Sequence, residues 1–219
     1  MAEDTQFLRL FPLQSVVLFP GMELPLVVFE PRYRQLTQEC LARGEPFGVL
    51  LLKEGREAGA QGTLPYEVGT TAHIDRVETL ADGRLHVRAT GQQRFRVVSY
   101  DHSHPYLAAQ VRFLPQDESA SATTALVGQV KDASVRHVQA LAALRGGYLR
   151  DVALPDVATV LSFLVPLLLQ GQRTNQQRLL EMNSVMDRLN EELAMLQESY
   201  THLKDEVERR WAQGTFSRN

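Results

Sequence analysis

The stretch FPLQSVVLFPGMELPLVVFEPRYRQL, residues 11–36, carries the pattern that decides the fold. It contains short apolar segments interrupted by prolines, and Pro20-Gly21 is typical of a turn. Residues 24–29 are again apolar and predict a strand. Pro31 then predicts the start of a helix, because the proline ring is preorganised for the first helical position. The stretch therefore predicts strands, a tight turn and one helix in quick succession.

Further short apolar segments on both sides extend this β-rich pattern to about residue 115. Between two of them, Ala81-Asp82-Gly83 predicts a hairpin turn. The predicted strands cover residues 7–11, 16–19, 24–29, 47–52, 68–80, 84–90, 95–100 and 107–114. Closely spaced strands with one inserted helix predict a β barrel or sandwich domain over residues 1–115.

The second half of the chain has a helical pattern. Helical periodicity predicts helices over residues 126–144 and 155–170. A third and longer helix is predicted over about residues 174–213, because neither glycine nor proline interrupts this segment. We therefore predict a helical domain over residues 116–219 and an α+β protein as a whole.

The long predicted helix carries a regular apolar seam. Apolar positions alternate spacings of three and four residues, as the a and d positions of a coiled coil do. The positions that could form an oligomer seam are Met186, Leu189, Leu193, Leu196, Tyr200, Leu203 and Val207. Two interpretations remain open: a coiled coil with a second chain, giving a homo-oligomer or a scaffold for a fixed partner, or packing of the seam on the preceding helices.

Composition excludes several classes of protein. Of the 219 residues, 44% are hydrophobic and 22% are charged, which are values of a globular chain rather than a disordered one. The formal net charge of −3 gives no general attraction to nucleic acid or to an anionic membrane. Cys40 is the single cysteine, and the first residues, MAEDTQ, do not resemble a signal peptide. We therefore expect a cytoplasmic protein without a membrane segment.

The sequence contains no recognisable catalytic centre. Phosphate-binding glycine loops and the G-x-S-x-G nucleophile elbow do not occur. Cys40 lies in an amphipathic helix and is interpreted as a small buried hydrophobe. His102 and His104 could face the same way on a strand, but the sequence suggests no third metal ligand nearby. We therefore predict no catalytic residue, no cofactor and no metal site.

A weak basic cluster gives a further alternative. The neighbouring strands carry several arginines around Phe95, namely Arg84, Arg88, Arg94 and Arg96. Barrels of this size can bind RNA through such a surface. The acidic balance of the chain favours a solvated sheet face instead.

Two blocks of sequence resemble a known family. The first contains the spaced positions Pro12, Leu13, Val17, Phe19, Pro20, Pro25 and Leu26. The second, over residues 66–98, contains Glu67, Gly69, Thr70, Ala72, Ile74, Asp82, Gly83, Gly91, Arg94 and Phe95. Both blocks, in this order, resemble the amino-terminal, substrate-binding domain of Lon proteases.

This resemblance implies a PUA-like pseudo-barrel followed by a helical bundle, with polypeptides as the bound substrates. In the full-length enzymes this domain passes its substrate to an ATPase and a Ser-Lys peptidase, and the sequence up to Asn219 contains no counterpart of either. We therefore expect a non-catalytic recognition or adaptor module for client polypeptides, acting with a separate ATP-dependent protease.

Four residues are candidate contacts for a polypeptide. An unfolded client offers apolar side chains and free backbone, so its receptor needs an exposed apolar groove or a sheet edge. Met22 adjoins the predicted turn, and Phe29, Arg32 and Tyr33 surround the start of the first helix. For Phe29, packing in the core is the alternative.

Overall fold

A computed structural model describes residues 5–53, 65–115, 123–169 and 173–212. Two compact units emerge, one formed by Met1–Pro115 with Arg173–Glu181, the other by Gln116–Gln172 with Met182–Asn219. The first is β-rich and the second is helical. The predicted division into residues 1–115 and 116–219 stays a prediction, and the structure places the segment 173–181 with the β-rich unit.

Among the residues that the structure describes up to Pro115, the β-rich unit contains six strands and one inserted helix. The helix, α1, spans Pro31–Arg43. The strands are β1 (Gln6–Leu13), β2 (Glu23–Val28), β3 (Phe47–Leu51), β4 (Val68–Thr79), β5 (Leu85–Asp101) and β6 (Ala108–Phe113).

The six strands form one sheet that closes on itself. Their order is β2-β5-β4-β3-β1-β6, and a further pairing joins β5 to β6. β5 is long enough to pair with β2 along its first half and with β6 along its second half. β1 and β3 run parallel, which requires the crossover through β2 and α1. The α+β fold class with a pseudo-barrel is confirmed.

The strands differ from the prediction in two places. Residues 17–19 are buried and Val16 is half-buried, but residues 16–19 form no strand, because this segment makes no ladder with a neighbouring strand. Residues 85–101 form a single strand where two were predicted, since β5 continues through Gly91 while its partner changes from β2 to β6. An apolar pattern predicts which residues are buried, but it does not predict which backbone groups form hydrogen bonds to a neighbouring strand.

A short helix, α4 (Arg173–Glu181), belongs to the β-rich unit. The side-chain amide of Gln177 donates to the carbonyl oxygen of Val68 at 3.0 Å. The buried guanidinium of Arg94 donates to the carbonyl oxygens of Leu180 at 2.8 Å and Pro115 at 3.1 Å. These bonds hold α4 and the end of the β-rich segment to the barrel.

In the described part of the helical unit there are three further helices. They are α2 (Thr124–Leu144), α3 (Ala158–Leu168) and α5 (Val185–Ala212). The hydroxyl of Thr123 caps α2 by accepting from the amide of Leu126 at 3.2 Å. α5 packs on both α2 and α3. None of the helices described here combines the length and the apolar character that a membrane span requires.

The prediction of one uninterrupted helix over residues 174–213 is wrong, because the helix is broken near its start. The structure contains two helices, α4 and α5, with residues 182–184 between them. Ser184 begins the second helix, because its hydroxyl accepts from the amide of Asp187 at 3.2 Å. A serine hydroxyl that satisfies an amide of the first helical turn favours a new start over continuation of the preceding helix.

The helical unit buries a pair of charged residues on α5. The guanidinium of Arg188 donates to the hydroxyl of Ser162 at 2.7 Å and lies 4.5 Å from the ring centroid of Phe163. One turn later, Glu192 is fully buried. Burial raises the pKa of Glu192 well above that of an ordinary carboxyl, although the nearby Arg188 acts in the opposite direction.

Candidate functional site

An open groove lies beside the junction of β2 and α1. Its volume is about 260 Å³, and both its floor and its walls come from the β-rich unit. We call it the edge groove. It is lined by Phe11, Pro12, Leu13, Gln14, Ser15, Leu26, Val27, Val28, Phe29, Glu30, Arg32, Tyr33 and Leu52.

Exposed apolar side chains mark the rim of the edge groove. Phe29 is 62% exposed and Val27 is 48% exposed. The local sequence explains this position for Phe29, because Glu30 has an extended backbone and Pro31 then starts the helix, so the chain turns directly after Phe29. An exposed phenylalanine next to an exposed valine is an apolar surface available to a ligand.

Tyr33 and Arg32 form one wall of the groove. The ring of Tyr33 is buried and stacks on Phe11, with their ring centroids 4.1 Å apart. The guanidinium of Arg32 lies 4.7 Å from the centroid of Tyr33, and its Nε donates to the carboxylate of Glu30 at 2.8 Å. Both side chains are therefore held in place before any ligand arrives.

Met22 lies outside the lining of the edge groove. Its side chain packs against the barrel core, and its amide donates to the carbonyl oxygen of Phe19 at 3.0 Å. Of the four predicted contact residues, the structure thus brings together Phe29, Arg32 and Tyr33, and it places Met22 elsewhere.

The backbone of β2 offers a free sheet edge beside the groove. β2 is the terminal strand of the sheet and pairs only with β5 among the strands described. The amide of Gly91 donates to the carbonyl oxygen of Met22 at 2.9 Å, so the alternation of strand backbone directs the even-numbered positions towards β5. The backbone groups of Glu23, Pro25 and Val27 therefore point away from β5. Pro25 lacks an amide hydrogen, as is common on edge strands.

A second pocket of about 250 Å³ shares Leu26 and Val27 with the edge groove. Its polar side is formed by Arg76 and Glu78 of β4 with His86 and Arg88 of β5. Of these four, Arg88 was predicted only as part of the alternative RNA-binding surface, and the other three were not predicted as site residues. The predicted hairpin could have indicated this pocket, since pairing across Asp82-Gly83 brings the two arginine-bearing segments together.

The predicted oligomer seam is divided by the structure. Leu189 and Leu196 are fully buried within the helical unit, whereas Met186 is 40% exposed. The remaining seam residues are half-buried, namely Leu193, Tyr200, Leu203 and Val207. Packing of α5 on α2 and α3 therefore occupies part of the seam, and an oligomer through the rest of it stays a prediction.

The arginines of the alternative RNA-binding surface do not form one patch. Arg94 is 1% exposed and donates to two backbone carbonyls, so it is unavailable to a ligand. Arg96 is exposed and pairs with Glu67 at 3.6 Å. The arginines around Phe95 suggested an exposed basic surface, but in this part of β5 the side chain of Arg94 points inward.

The potentially reactive side chains of Cys40 and His104 pack against other side chains of the fold. Cys40 is buried, and desolvation raises the pKa of its thiol to about 11. His104 stacks on Tyr106 with centroids 5.4 Å apart and lies 3.7 Å from the carboxylate of Asp101. Within residues 5–53, 65–115, 123–169 and 173–212, no group of three or more His, Cys, Asp or Glu side chains is arranged to hold a metal ion.

Comparisons with known proteins agree with this architecture. The family described as the ATP-dependent protease La (LON) substrate-binding domain matches residues 8–198. A Lon N-terminal domain protein from Xanthomonas campestris superposes with a TM-score of 0.66 at 27% identity, covering 86% of this chain and 98% of that one. The N-terminal domain of a Lon protease from the Mycobacterium avium complex shares the fold, with a TM-score of 0.61 at 16% identity over 88% of this chain and 98% of that one.

Curated relatives are much longer than the region they share with this chain. Lon protease 2 of Herpetosiphon aurantiacus is 32% identical over 192 residues, which are 86% of this chain and 23% of the relative. The Lon protease of Methylocella silvestris is 33% identical over 117 residues, which are 52% of this chain and 14% of the relative. The chain thus spans less than a quarter of the length of these relatives.

The fold contains a pseudo-barrel domain and a separate helical unit. The chain belongs to the LON substrate-binding domain family. The resemblance of its two sequence blocks to this family is thereby confirmed.

Proposed function

We propose that this chain binds extended segments of unfolded polypeptides in the edge groove and performs no catalysis itself. The observation that carries the proposal is the exposed pair Val27 and Phe29 beside the edge of β2 that pairs with no other strand in the described part of the chain. An extended polypeptide matches both features, because it supplies apolar side chains and a row of free backbone groups at once.

The apolar part of the groove supports selection of unfolded over native proteins. Native proteins bury most of their large apolar side chains, while unfolded chains present them. Burial of a phenylalanine side chain is worth roughly 1.5–3 kcal/mol, so a few such contacts give useful affinity. The stacked Tyr33 and Phe11 provide a rigid wall, which limits the entropy lost on binding.

The backbone part of the groove supports binding that is tolerant of sequence. Hydrogen bonds along a sheet edge use only main-chain groups of the ligand. At β2 the amides of Glu23 and Val27 are the donors on the free side, and Pro25 interrupts the row. A strand edge with an interrupted row of donors resists pairing with other copies of the same edge, yet it leaves positions for a ligand.

Family membership supports the proposal that the bound polypeptide is a substrate, which this chain passes to a protease. The matching family is named as the substrate-binding domain of an ATP-dependent protease. Unfolding and hydrolysis would then occur in an ATP-dependent protease, and this chain would act as its recognition or adaptor module. The use of a single cysteine, buried as a thiol, supports a cytoplasmic setting.

A retention experiment with a variant of Phe29 tests the proposal. The immobilised chain is expected to retain a protein kept unfolded by reduction and carboxamidomethylation, and not its native form. Phe29→Ser is expected to weaken binding of the unfolded form about tenfold, since the lost apolar burial corresponds to about 1.4 kcal/mol or more. Fluorescence anisotropy of the labelled unfolded protein gives the dissociation constants.

Val98→Ser is the matched control, because Val98 is a similarly exposed apolar residue on β5 and does not line the edge groove. It should bind as the unsubstituted chain does. Equal retention of native and unfolded protein, or unchanged affinity in Phe29→Ser, would count against the proposal.

A further inference from the structure

The outer face of β2, β5 and β4 places two arginines in one row next to the free edge. Pro25 of β2 pairs with Arg88 of β5, and Arg88 pairs on its other side with Arg76 of β4. In the next row Val27 pairs with His86, and His86 pairs with Glu78. Pro25, Val27, Arg76, His86 and Arg88 all line the second pocket. We call this surface the arginine face.

The cations on this face differ in their partners. Arg76 forms an ion pair with Glu78 at 2.6 Å, and Arg84 forms one with Asp82 at 2.7 Å. Over the residues described, Arg88 has no ion pair and no side-chain hydrogen bond. It also lies directly opposite Arg76, and like charges at opposed positions of an antiparallel pair destabilise a sheet. Glu78 balances one of these two positive charges, and an anion bound at Arg88 would balance the other.

We infer that Arg88, supported by Arg76, binds an acidic side chain of the polypeptide segment that pairs with β2. This inference rests on the proposed function and adds a preference to it. A strand added beside β2 would place one residue in the row of Pro25, about two strand spacings, or roughly 10 Å, from Arg88. The ring of Pro25 is short, so an aspartate or glutamate in that position can extend over it towards the guanidinium.

The neighbouring groups favour a single carboxylate over a nucleic acid. Glu78 and Glu23 lie on or beside the same face, and the chain as a whole carries a net charge of −3. Nucleic acids require several cations along the phosphate backbone. Apolar Val27 in the next row instead fits a peptide in which an acidic residue stands among apolar ones.

Two matched peptides test the inference. Both are extended apolar sequences with an acetylated amino terminus and an amidated carboxyl terminus, and they differ only in a central Glu or Gln. The Glu peptide is expected to bind about three- to fivefold more tightly at low salt, as one exposed ion pair allows, and this preference should decrease as salt is added. Amidation removes the terminal carboxylate, so the side chain is the single source of the effect.

Variants locate the preference. In Arg88→Gln the two peptides are expected to bind equally, with the affinity for the Gln peptide unchanged. Arg96→Gln is the control on the same strand, because Arg96 is exposed and pairs with Glu67 outside the pocket, and it should keep the preference. Far-ultraviolet circular dichroism checks that both variants are folded.

The outcomes separate this inference from the proposed function. Equal binding of both peptides by the unsubstituted chain overturns the acidic preference and leaves polypeptide binding intact. A preference that persists in Arg88→Gln also overturns it. Absence of binding by either peptide contradicts both proposals, and displacement of the Glu peptide by single-stranded RNA at low salt would assign the face to nucleic acid instead.

Discussion

Replacing Gly69 with alanine is expected to lower the free energy of unfolding by about 3 kcal/mol, the upper end of the usual range for overpacking. A Cβ atom at Gly69 would overlap the backbone carbonyl oxygen of Val49 and lie 2.6 Å from Cδ2 of Leu50. The carbonyl belongs to β3 and cannot retreat without disturbing the sheet. Urea unfolding followed by circular dichroism measures the change.

Gly128 provides the matched control for this substitution. It lies in α2, and no heavy atom would come within 4 Å of an added Cβ. Gly128→Ala is therefore expected to stabilise the protein by about 0.5–1 kcal/mol, because alanine has the better helix propensity. If Gly69→Ala were as stable as the unsubstituted chain, this result would contradict the close approach of β4 to β3.

Replacing Leu189 with alanine is expected to lower the free energy of unfolding by about 2–5 kcal/mol, the range for a buried leucine. Leu189 lies on α5 and is fully buried, and α5 packs on α2 and α3 of the same chain. The loss should be independent of protein concentration, because the contacts lie within one chain and not between two. Urea unfolding at several protein concentrations measures both quantities.

Met186 is the control, since it occupies the preceding seam position and is partly exposed. Met186→Ala should change the stability by less than about 1 kcal/mol. A midpoint for Leu189→Ala that rises with protein concentration would indicate that the seam is buried against a second chain, and it would favour the coiled-coil scaffold over the internal packing.

Local signals in the sequence predicted much of the fold. Pro31 favours the first position of α1, and Gly44 adopts the left-handed conformation, with a φ of 63°, that ends a helix. The two residues therefore define the bounds of α1. The Asp82-Gly83 turn similarly defined the β4–β5 hairpin. The closure of the barrel was not derivable from these signals, because the β5–β6 pairing depends on strands meeting in space.

The candidate site was predicted only in part, for a related reason. Phe29, Arg32 and Tyr33 adjoin one another along the chain, so local reasoning found them. The importance of Val27 follows from the position of β2 at the edge of the sheet, which is a property of topology. The burial of Arg94 and the pairing of Arg76 with Arg88 depend on packing and register, which a charge pattern does not encode.

Hydrogen exchange of the β2 amides tests whether an extended polypeptide adds to the free edge of β2 and lies in the edge groove. Residue-resolved exchange with and without a saturating unfolded polypeptide should show slower exchange at Glu23 and Val27, whose amides point away from β5. Unchanged exchange throughout β2, with slowing confined to the helical unit, would contradict the account.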